Sequence, residues 1–306
     1  MNPPTLLDGA MGSALRARGV TVPDHQTSIW SALALIEAPD QVTSLHRAYI
    51  RAGADVVTTN NYAVTPVSLA REGMSSRLDE LILTACELAQ CAVVLEGSRA
   101  EIAGSLPPLN ISYRPDLVGP FEQNLSAYRS LTRLMAPHVD LFICETMTTA
   151  TEARAAAQAA LETDRPVWVC WTMSDDPIKL RGGEAPTEAV TLLSDLPIAA
   201  FLLNCCSVYA VSEALPKLRA CTNLPTGAYA NPFLRESDDK NYAIDTPNWL
   251  GPDAYAIVAR QWIAAGADIV GGCCGTDPEY TSALDRMLKP LRQSSDRVRY
   301  RGQNDR

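Results

Sequence analysis

Two cysteines stand side by side in Gly271-Gly272-Cys273-Cys274-Gly275-Thr276, and another pair follows Asn204 at Cys205-Cys206. Three thiolates drawn from two such segments can hold one soft metal ion, and zinc is the ion that sulfur-rich tetrahedral sites favour. Three protein sulfurs leave the fourth position open to a substrate, as in a catalytic zinc site. Neighbours on a regular strand point to opposite faces, so Cys273 and Cys274 can converge only where their strand has ended. The flanking glycines give the backbone the freedom for that turn. Cys205 lies nearer a predicted strand end than Cys206, so Cys205 is expected to supply the third sulfur and Cys206 to pack. Small buried residues are the plainer role for such cysteines, since free cysteine is at home in apolar interiors.

The remaining candidates are sparse. Cys86, Cys91, Cys144, Cys170 and Cys221 fall in helical, strand or loop stretches and read as buried or incidental thiols. Histidine occurs only as His25, His46 and His138, with no H-x-x-x-H pair, which disfavours a histidine-based zinc hydrolase. Asp8 and Glu145 close the first and fourth apolar runs and suit recognition of a substrate ammonium group. Gly182-Gly183 and Gly271-Gly272 form no G-x-G-x-x-G, and no P-loop occurs, so no nucleotide cofactor is expected.

These residues need a scaffold that brings distant segments together. Short apolar runs alternate with helical stretches throughout. Strands are predicted around Leu6-Leu7, Asp55 to Thr59, Glu101 to Gly104, Asp140 to Glu145, Pro166 to Trp171, Ala199 to Asn204, Pro225 to Tyr229 and Asp268 to Gly271. Each is nearly continuous in apolar residues, as suits strands buried on both faces of a parallel sheet. Helices are predicted at Pro39 to Ala52, Ser76 to Leu95, Thr149 to Glu162 and Pro252 to Ala265. Two of them end in Ala-Gly-Ala-Asp, with a glycine placed to cap the helix before the next strand.

Eight such units predict an α/β fold of one domain, a (β/α)8 TIM barrel over residues 1–291, with 292–306 a polar, fraying tail. An open doubly wound sheet fits the alternation too, but regular repetition favours closure. In a barrel the carboxyl ends of the strands share one face. Asp8-Gly9, Thr58-Thr59-Asn60, Gly104-Ser105, Glu145-Thr146, Asn204-Cys205 and Cys273-Cys274 would then be neighbours. The stretch from Asn231 to Gly251 lacks periodicity and follows the seventh strand, so it would lie over that face as a lid, an oligomer contact or a passive insertion.

Composition bounds the partners. The chain has 306 residues, 47% hydrophobic and 20% charged, with a formal charge of −9. That acidic balance argues against nucleic acid. No stretch approaches the roughly 18 apolar residues of a membrane span, and no secretory signal opens the chain. Nine cysteines in such a chain are expected to be reduced, in the cytosol.

Taken in order, Asp8-Gly-Ala-Met-Gly12, Trp30-Ser-Ala32, Ala52-Gly-Ala-Asp-Val-Val-Thr-Thr-Asn60, Glu145-Thr146, Asn204-Cys205 and Gly271-Gly-Cys-Cys-Gly-Thr276 resemble the homocysteine S-methyltransferase family. The resemblance runs from Asp8 to about Leu288. It implies a (β/α)8 barrel and zinc on Cys205, Cys273 and Cys274. It further implies that Glu145 and the Asp8-Gly9 turn hold the amino-acid end of homocysteine, with Thr59 nearby and Asn204 bracing the site. Two departures are expected at the mouth, on the donor side. Ser105 is followed by Leu106-Pro107-Pro108-Leu109 where the family often has Val-Gly-Pro, and Asn61 stands where it usually has Thr.

The chemistry so implied is methyl transfer to a thiol, with zinc as cofactor. A free thiol with a pKa near 8.5 is mostly protonated at neutral pH, yet the thiolate is the nucleophile. Zinc lets homocysteine bind as the thiolate, which attacks a methyl group on a small cationic donor and yields methionine. S-methylmethionine or S-adenosylmethionine is the expected donor, with betaine, another methyl donor or another thiol acceptor as alternatives. A cysteine-nucleophile enzyme would want a base near the thiol, and a non-catalytic zinc protein would want a fourth protein ligand such as Cys206.

Overall fold

The computed structural model describes residues 3–24, 28–174, 176, 178–233 and 249–304, with only the backbone of 293–304. Eight parallel strands form its sheet: β1 (Thr5–Leu6), β2 (Val56–Thr58), β3 (Glu101–Leu106), β4 (Leu141–Met147), β5 (Val167–Trp171), β6 (Ala200–Ser207), β7 (Thr226–Asn231) and β8 (Ile269–Val270). They pair in the order β1-β8-β7-β6-β5-β4-β3-β2. The two edges meet in a parallel bridge between Leu7 and Val56, supported by Asp8 N donating to Val56 O at 3.1 Å. The sheet is therefore a barrel, as the eight apolar runs predicted.

A helix follows each strand on the outside: Pro39–Arg51, Leu78–Leu95, Phe121–Met135, Ala150–Leu161, Pro186–Leu192, Val208–Ala220, Pro252–Ala264 and Pro278–Asn304. Each buries one face. In Pro39–Arg51 the buried positions Val42, Leu45, His46 and Tyr49 follow the i, i+3, i+4, i+7 spacing of an apolar stripe. Ala150–Leu161 buries mostly alanine, which lets it lie close against the sheet and its neighbours. Gly53 and Gly266 end their helices at φ 104°, a left-handed cap that a side chain would disfavour. The last helix carries the backbone past Leu291, where the polar tail was expected to fray, as far as Asn304. None of the described helices is long and apolar enough to cross a membrane.

The strands alternate between two hydrophobic layers. Leu141 and Ile143 of β4 and Ala200 and Leu202 of β6 fill the barrel interior. Phe142, Cys144, Phe201 and Leu203 pack outward under the helices. Continued alternation would turn Glu145 and Asn204 inward and the next residues outward. The next residues are Thr146 and Cys205, and both strands slip register there, between Cys144 and Met147 and between Asn204 and Ser207. Both residues sit at positive φ, 59° and 52°. The phase is reset, so Met147 and Cys206 pack outward instead. These bulges re-aim two side chains at the carboxyl end of the barrel.

Candidate metal centre and substrate cavity

The bulge in β6 decides which cysteine reaches the mouth. Cys205 lines a cavity of about 370 Å³ at the carboxyl ends of the strands, while Cys206 lies in the outer apolar layer. A left-handed conformation costs a non-glycine residue on the order of 1–3 kcal/mol, so the fold around Cys205 over-determines it. β8 ends at Val270, and the chain turns through Gly271 and Gly272 before Cys273. Thr276 closes that turn, its hydroxyl donating to Cys273 O at 2.7 Å and accepting from Ala10 N at 3.3 Å. A side chain at Gly272 would stand 2.3 Å from the same hydroxyl, so the turn has room only for glycine there.

The sulfurs of Cys205, Cys273 and Cys274 all lie within 4.8 Å of one another. Cys205 Sγ and Cys274 Sγ are 3.6 Å apart. Sulfurs placed tetrahedrally at about 2.3 Å from a zinc ion are separated by about 3.8 Å, so this donor set fits such an ion. Among the described residues no other group of three metal-ligating side chains converges. Hydrogen bonds from Cys273 and Cys274 hold the Cys205 thiol well below the usual thiol range, with Tyr113 adding to the effect. That sharing, together with burial, pushes Cys273 and Cys274 up.

Two carboxyl groups, buried Asp8 and half-buried Glu145, line the same cavity. Burial pushes Glu145 up to about 7, against the Ser105 hydroxyl, which donates to Glu145 Oε1 at 2.6 Å. Asp8 is pushed up to about 8, again chiefly by burial and against the Thr58 N–H, with the Glu145 charge adding to it. Thr58 N donates to Asp8 Oδ2 at 2.8 Å, which ties the end of β1 to β2. A cation entering between these groups would lower both. Gly9 has no space for a side chain, since a Cβ would meet Thr276 Oγ1 at 2.8 Å and the Tyr49 ring at 2.9 Å.

Not every sequence candidate faces the cavity. Asp8, Gly9, Thr59 and Glu145 line it with the three cysteines; Asn204 does not. Asn204 is fully buried and bonds Thr146 instead. Thr59 spends its hydroxyl on Asn61 Oδ1 at 2.5 Å and accepts from Ser105 N at 3.1 Å. Asn61 Nδ2 in turn donates to Ser105 O at 2.9 Å. The two departures expected on the donor side are thus corrected: Asn61 and Leu106 to Leu109 are buried behind the wall and line no part of the cavity. Asn61 knits β2 to β3, while Pro107 O accepts from Tyr128 OH at 2.8 Å and Leu109 N donates to Glu152 Oε1 at 3.3 Å, tying that segment to the outer helices.

Other lining residues escaped the sequence reading. Tyr229 belongs to the predicted seventh strand end, and the strand-end rule applied there would have found it. Its hydroxyl is buried with no hydrogen-bond partner at ordinary geometry. Tyr62 bonds Ser112 at 2.9 Å and meets Trp30 edge-on at 5.9 Å between ring centres. Tyr113 lies in the irregular loop after β3, with its hydroxyl 2.9 Å from Cys205 Sγ. No periodicity or spacing signals a contact of that kind. His46 is buried on its helix and His138 lies at the far end of another, so neither lines the cavity; His25 lies outside the described residues. Of the stretch Asn231 to Gly251, residues 234–248 lie outside them too.

The sequence profile of the family described as homocysteine S-methyltransferase matches residues 5–288. The homocysteine S-methyltransferase of Escherichia coli is 31% identical over 299 residues, covering 91% of this chain and 93% of its own. YbgG of Bacillus subtilis, also a homocysteine S-methyltransferase, is 28% identical over 312 residues, covering 95% and 96%. The crystal structure of the E. coli homocysteine methyltransferase MmuM in its metallated form superposes with a TM-score of 0.78 at 28% identity, covering 93% of this chain and 96% of that one. With the match running through the whole barrel, from the first strand to the helix that follows the Cys273-Cys274 turn, the chain belongs to the homocysteine S-methyltransferase family of enzymes.

Proposed function

We propose that this chain transfers a methyl group from a small sulfonium donor, S-methylmethionine or S-adenosylmethionine, to homocysteine, giving methionine, with zinc on Cys205, Cys273 and Cys274. The observation that carries this reading is the convergence of three sulfurs within 4.8 Å in a cavity that Asp8 and Glu145 also line. The sulfurs suit a thiol and the carboxyl groups an ammonium group, and homocysteine carries both. The names of the E. coli and B. subtilis relatives and the metallated form of MmuM support it.

When bound, zinc supplies the Lewis acidity that lets a thiol bind as its thiolate near neutral pH. The chain does the rest. Glu145, aimed by Ser105, receives the ammonium group of homocysteine. The Asp8-Gly9 turn lines the cavity beside it, seated there because Gly9 fits against Thr276 and Tyr49 where a Cβ would not. Thr59 and Asn204 hold the wall rather than the substrate. In the transfer a new sulfur–carbon bond forms at homocysteine as the donor's sulfur–carbon bond breaks. The donor leaves as a neutral thioether and no proton moves in that step. Alignment of sulfur, methyl and leaving group can be worth on the order of 7–11 kcal/mol.

We take residues 1–291 as the catalytic unit and 292–306 as a polar extension. Three reduced thiols at the centre suit a reducing compartment, so the cytosol is the place of action. A closed, purely structural zinc site is disfavoured because Cys206 packs in the outer layer. Zinc content measured together with methionine formation over a panel of donors tests the proposal. About one zinc per chain with turnover on a sulfonium compound supports it. Turnover on betaine alone would move the donor class, and absence of zinc after reducing purification and reconstitution would refute the metal site.

A further inference from the structure

Cys205 is held at its sulfur and at its carbonyl by two residues from different loops. The Tyr113 hydroxyl lies 2.9 Å from Cys205 Sγ, and Thr172 Oγ1 donates to Cys205 O at 3.2 Å. One guanidinium reaches both holders. Arg181 lies over the Tyr113 ring, with Cζ 4.6 Å from its centre, and its Nε reaches Thr172 Oγ1 at 3.5 Å. Its backbone N–H also donates to Thr172 O at 3.3 Å. Tyr113 and Cys205 both occupy the left-handed region, at φ 66° and 52°. Two disfavoured backbones meeting at one hydrogen bond mark a contact that the surroundings enforce.

We infer that Tyr113 is a positioning residue of the metal centre: its hydroxyl donates to the Cys205 sulfur, and Arg181, clamped between the Tyr113 ring and Thr172, fixes that hydroxyl in place. The inference rests on the reading of Cys205 as a metal ligand. A metal-bound thiolate has no proton to give, so the phenol is the donor in the loaded protein. Such a bond orients the sulfur and draws electron density from it, the two means by which outer groups tune a metal centre. A ring that merely filled space would need no hydroxyl at this position.

Tyr113→Phe keeps the ring and its stack with Arg181 and removes only the hydroxyl. Wild type and Y113F would be loaded with cobalt(II) under reducing conditions, and the thiolate-to-cobalt charge-transfer band recorded. Chelator competition on the same samples gives the metal affinity. Loss of the hydrogen bond raises the sulfur lone pair in energy, so the band should move to longer wavelength. Affinity should fall on the order of 10-fold. A band at the wild-type position overturns the inference. Arg181→Met retains the hydroxyl but frees the ring, and should move the band the same way by less. If Y113F fails to fold, an unmoved band in R181M overturns the inference in its place. Failure of the wild type itself to take up cobalt would instead strike the metal reading on which the inference rests.

Discussion

Asn204 grips Thr146 twice across the barrel interior, reaching past β5 from β6 to β4. Its Oδ1 accepts from Thr146 N at 2.9 Å and its Nδ2 donates to Thr146 Oγ1 at 2.9 Å. Thr146 is the positive-φ residue of the β4 bulge and follows Glu145, and Asn204 immediately precedes its counterpart Cys205 in β6. One carboxamide therefore couples the position of a candidate metal ligand to that of the candidate ammonium acceptor.

Replacing Asn204 with alanine leaves the buried Thr146 N–H without its partner and takes one of two from the Thr146 hydroxyl, which Tyr62 also reaches, a loss of about 1–3 kcal/mol for a group left unsatisfied. The N204A protein should unfold at lower denaturant and bind homocysteine more weakly, with KM raised more than kcat is lowered. It should still hold zinc, because the sulfurs are not touched. Equal KM values in wild type and N204A would show that the brace does not reach Glu145.

Cys273 sits in a turn outside the regular strands, so its loss should spare the fold. Cys273→Ala is expected to retain the circular dichroism of the wild type while losing most of its zinc and its turnover. Metal analysis after gel filtration reads the first and methionine formation the second. Full zinc occupancy in C273A would remove Cys273 from the ligand set.

Much of this architecture was legible in the sequence because each strand is a short apolar run closed by Gly, Pro, Asp or Asn. All eight predicted strands appear, and two helix ends carry the glycine caps read from Ala-Gly-Ala-Asp. The sequence also named Cys205 over Cys206, but for a simpler reason than the structure supplies. β6 does not stop at Asn204; it runs on to Ser207 and bulges at Cys205. Simple alternation would have sent that sulfur outward. A positive φ on cysteine has no compositional signal, as glycine would have given. Tyr113 was illegible for a related reason, since its place depends on how a nonperiodic loop folds over a distant strand.

Glu145 yields a pH dependence of defined sign. Burial raises it to about 7 in the free protein, so it is increasingly protonated, and unable to pair with an ammonium group, as pH falls through that value. Homocysteine KM should rise on acidification from pH 8 to pH 6. Glu145→Gln keeps a partner for Ser105 but no charge, and should raise KM about 10- to 100-fold, the worth of a charged hydrogen bond. Its KM should also change less with pH than that of the wild type. Parallel profiles for the two proteins would assign the acid limb to Asp8 or to the thiols instead.

Gly275 follows the paired cysteines at φ 86°, and a Cβ there would stand 2.2 Å from the Trp249 ring. Trp249 is itself fixed by its Nε1 donating to Tyr280 OH at 2.9 Å. Gly275→Ala thus combines backbone strain with a clash against a held ring. It is expected to cost about 1–3 kcal/mol and to loosen zinc by shifting the turn. Denaturant unfolding and chelator competition measure the two effects. Unchanged stability would mean that Trp249 gives way freely.

Glu152 offers a test of burial free of the reaction. It lies at the start of the helix Ala150–Leu161, where Oε1 accepts from Leu109 N at 3.3 Å and Oε2 is buried without a hydrogen-bond partner at ordinary geometry. Burial raises this carboxyl to about 7, above its ordinary value of 4.5. Between those values the folded state holds a proton that the unfolded state has lost, so stability declines as pH rises through the window. Glu152→Gln removes the titration while preserving an acceptor for Leu109. The variant should match the wild type near pH 4.5 and become the more stable of the two by about 1–3 kcal/mol at pH 8, at roughly 1.4 kcal/mol for each tenfold change in proton affinity. Thermal unfolding of both proteins across this range decides it. A difference that stays constant with pH would mean the Glu152 carboxyl titrates alike in the folded and unfolded chain.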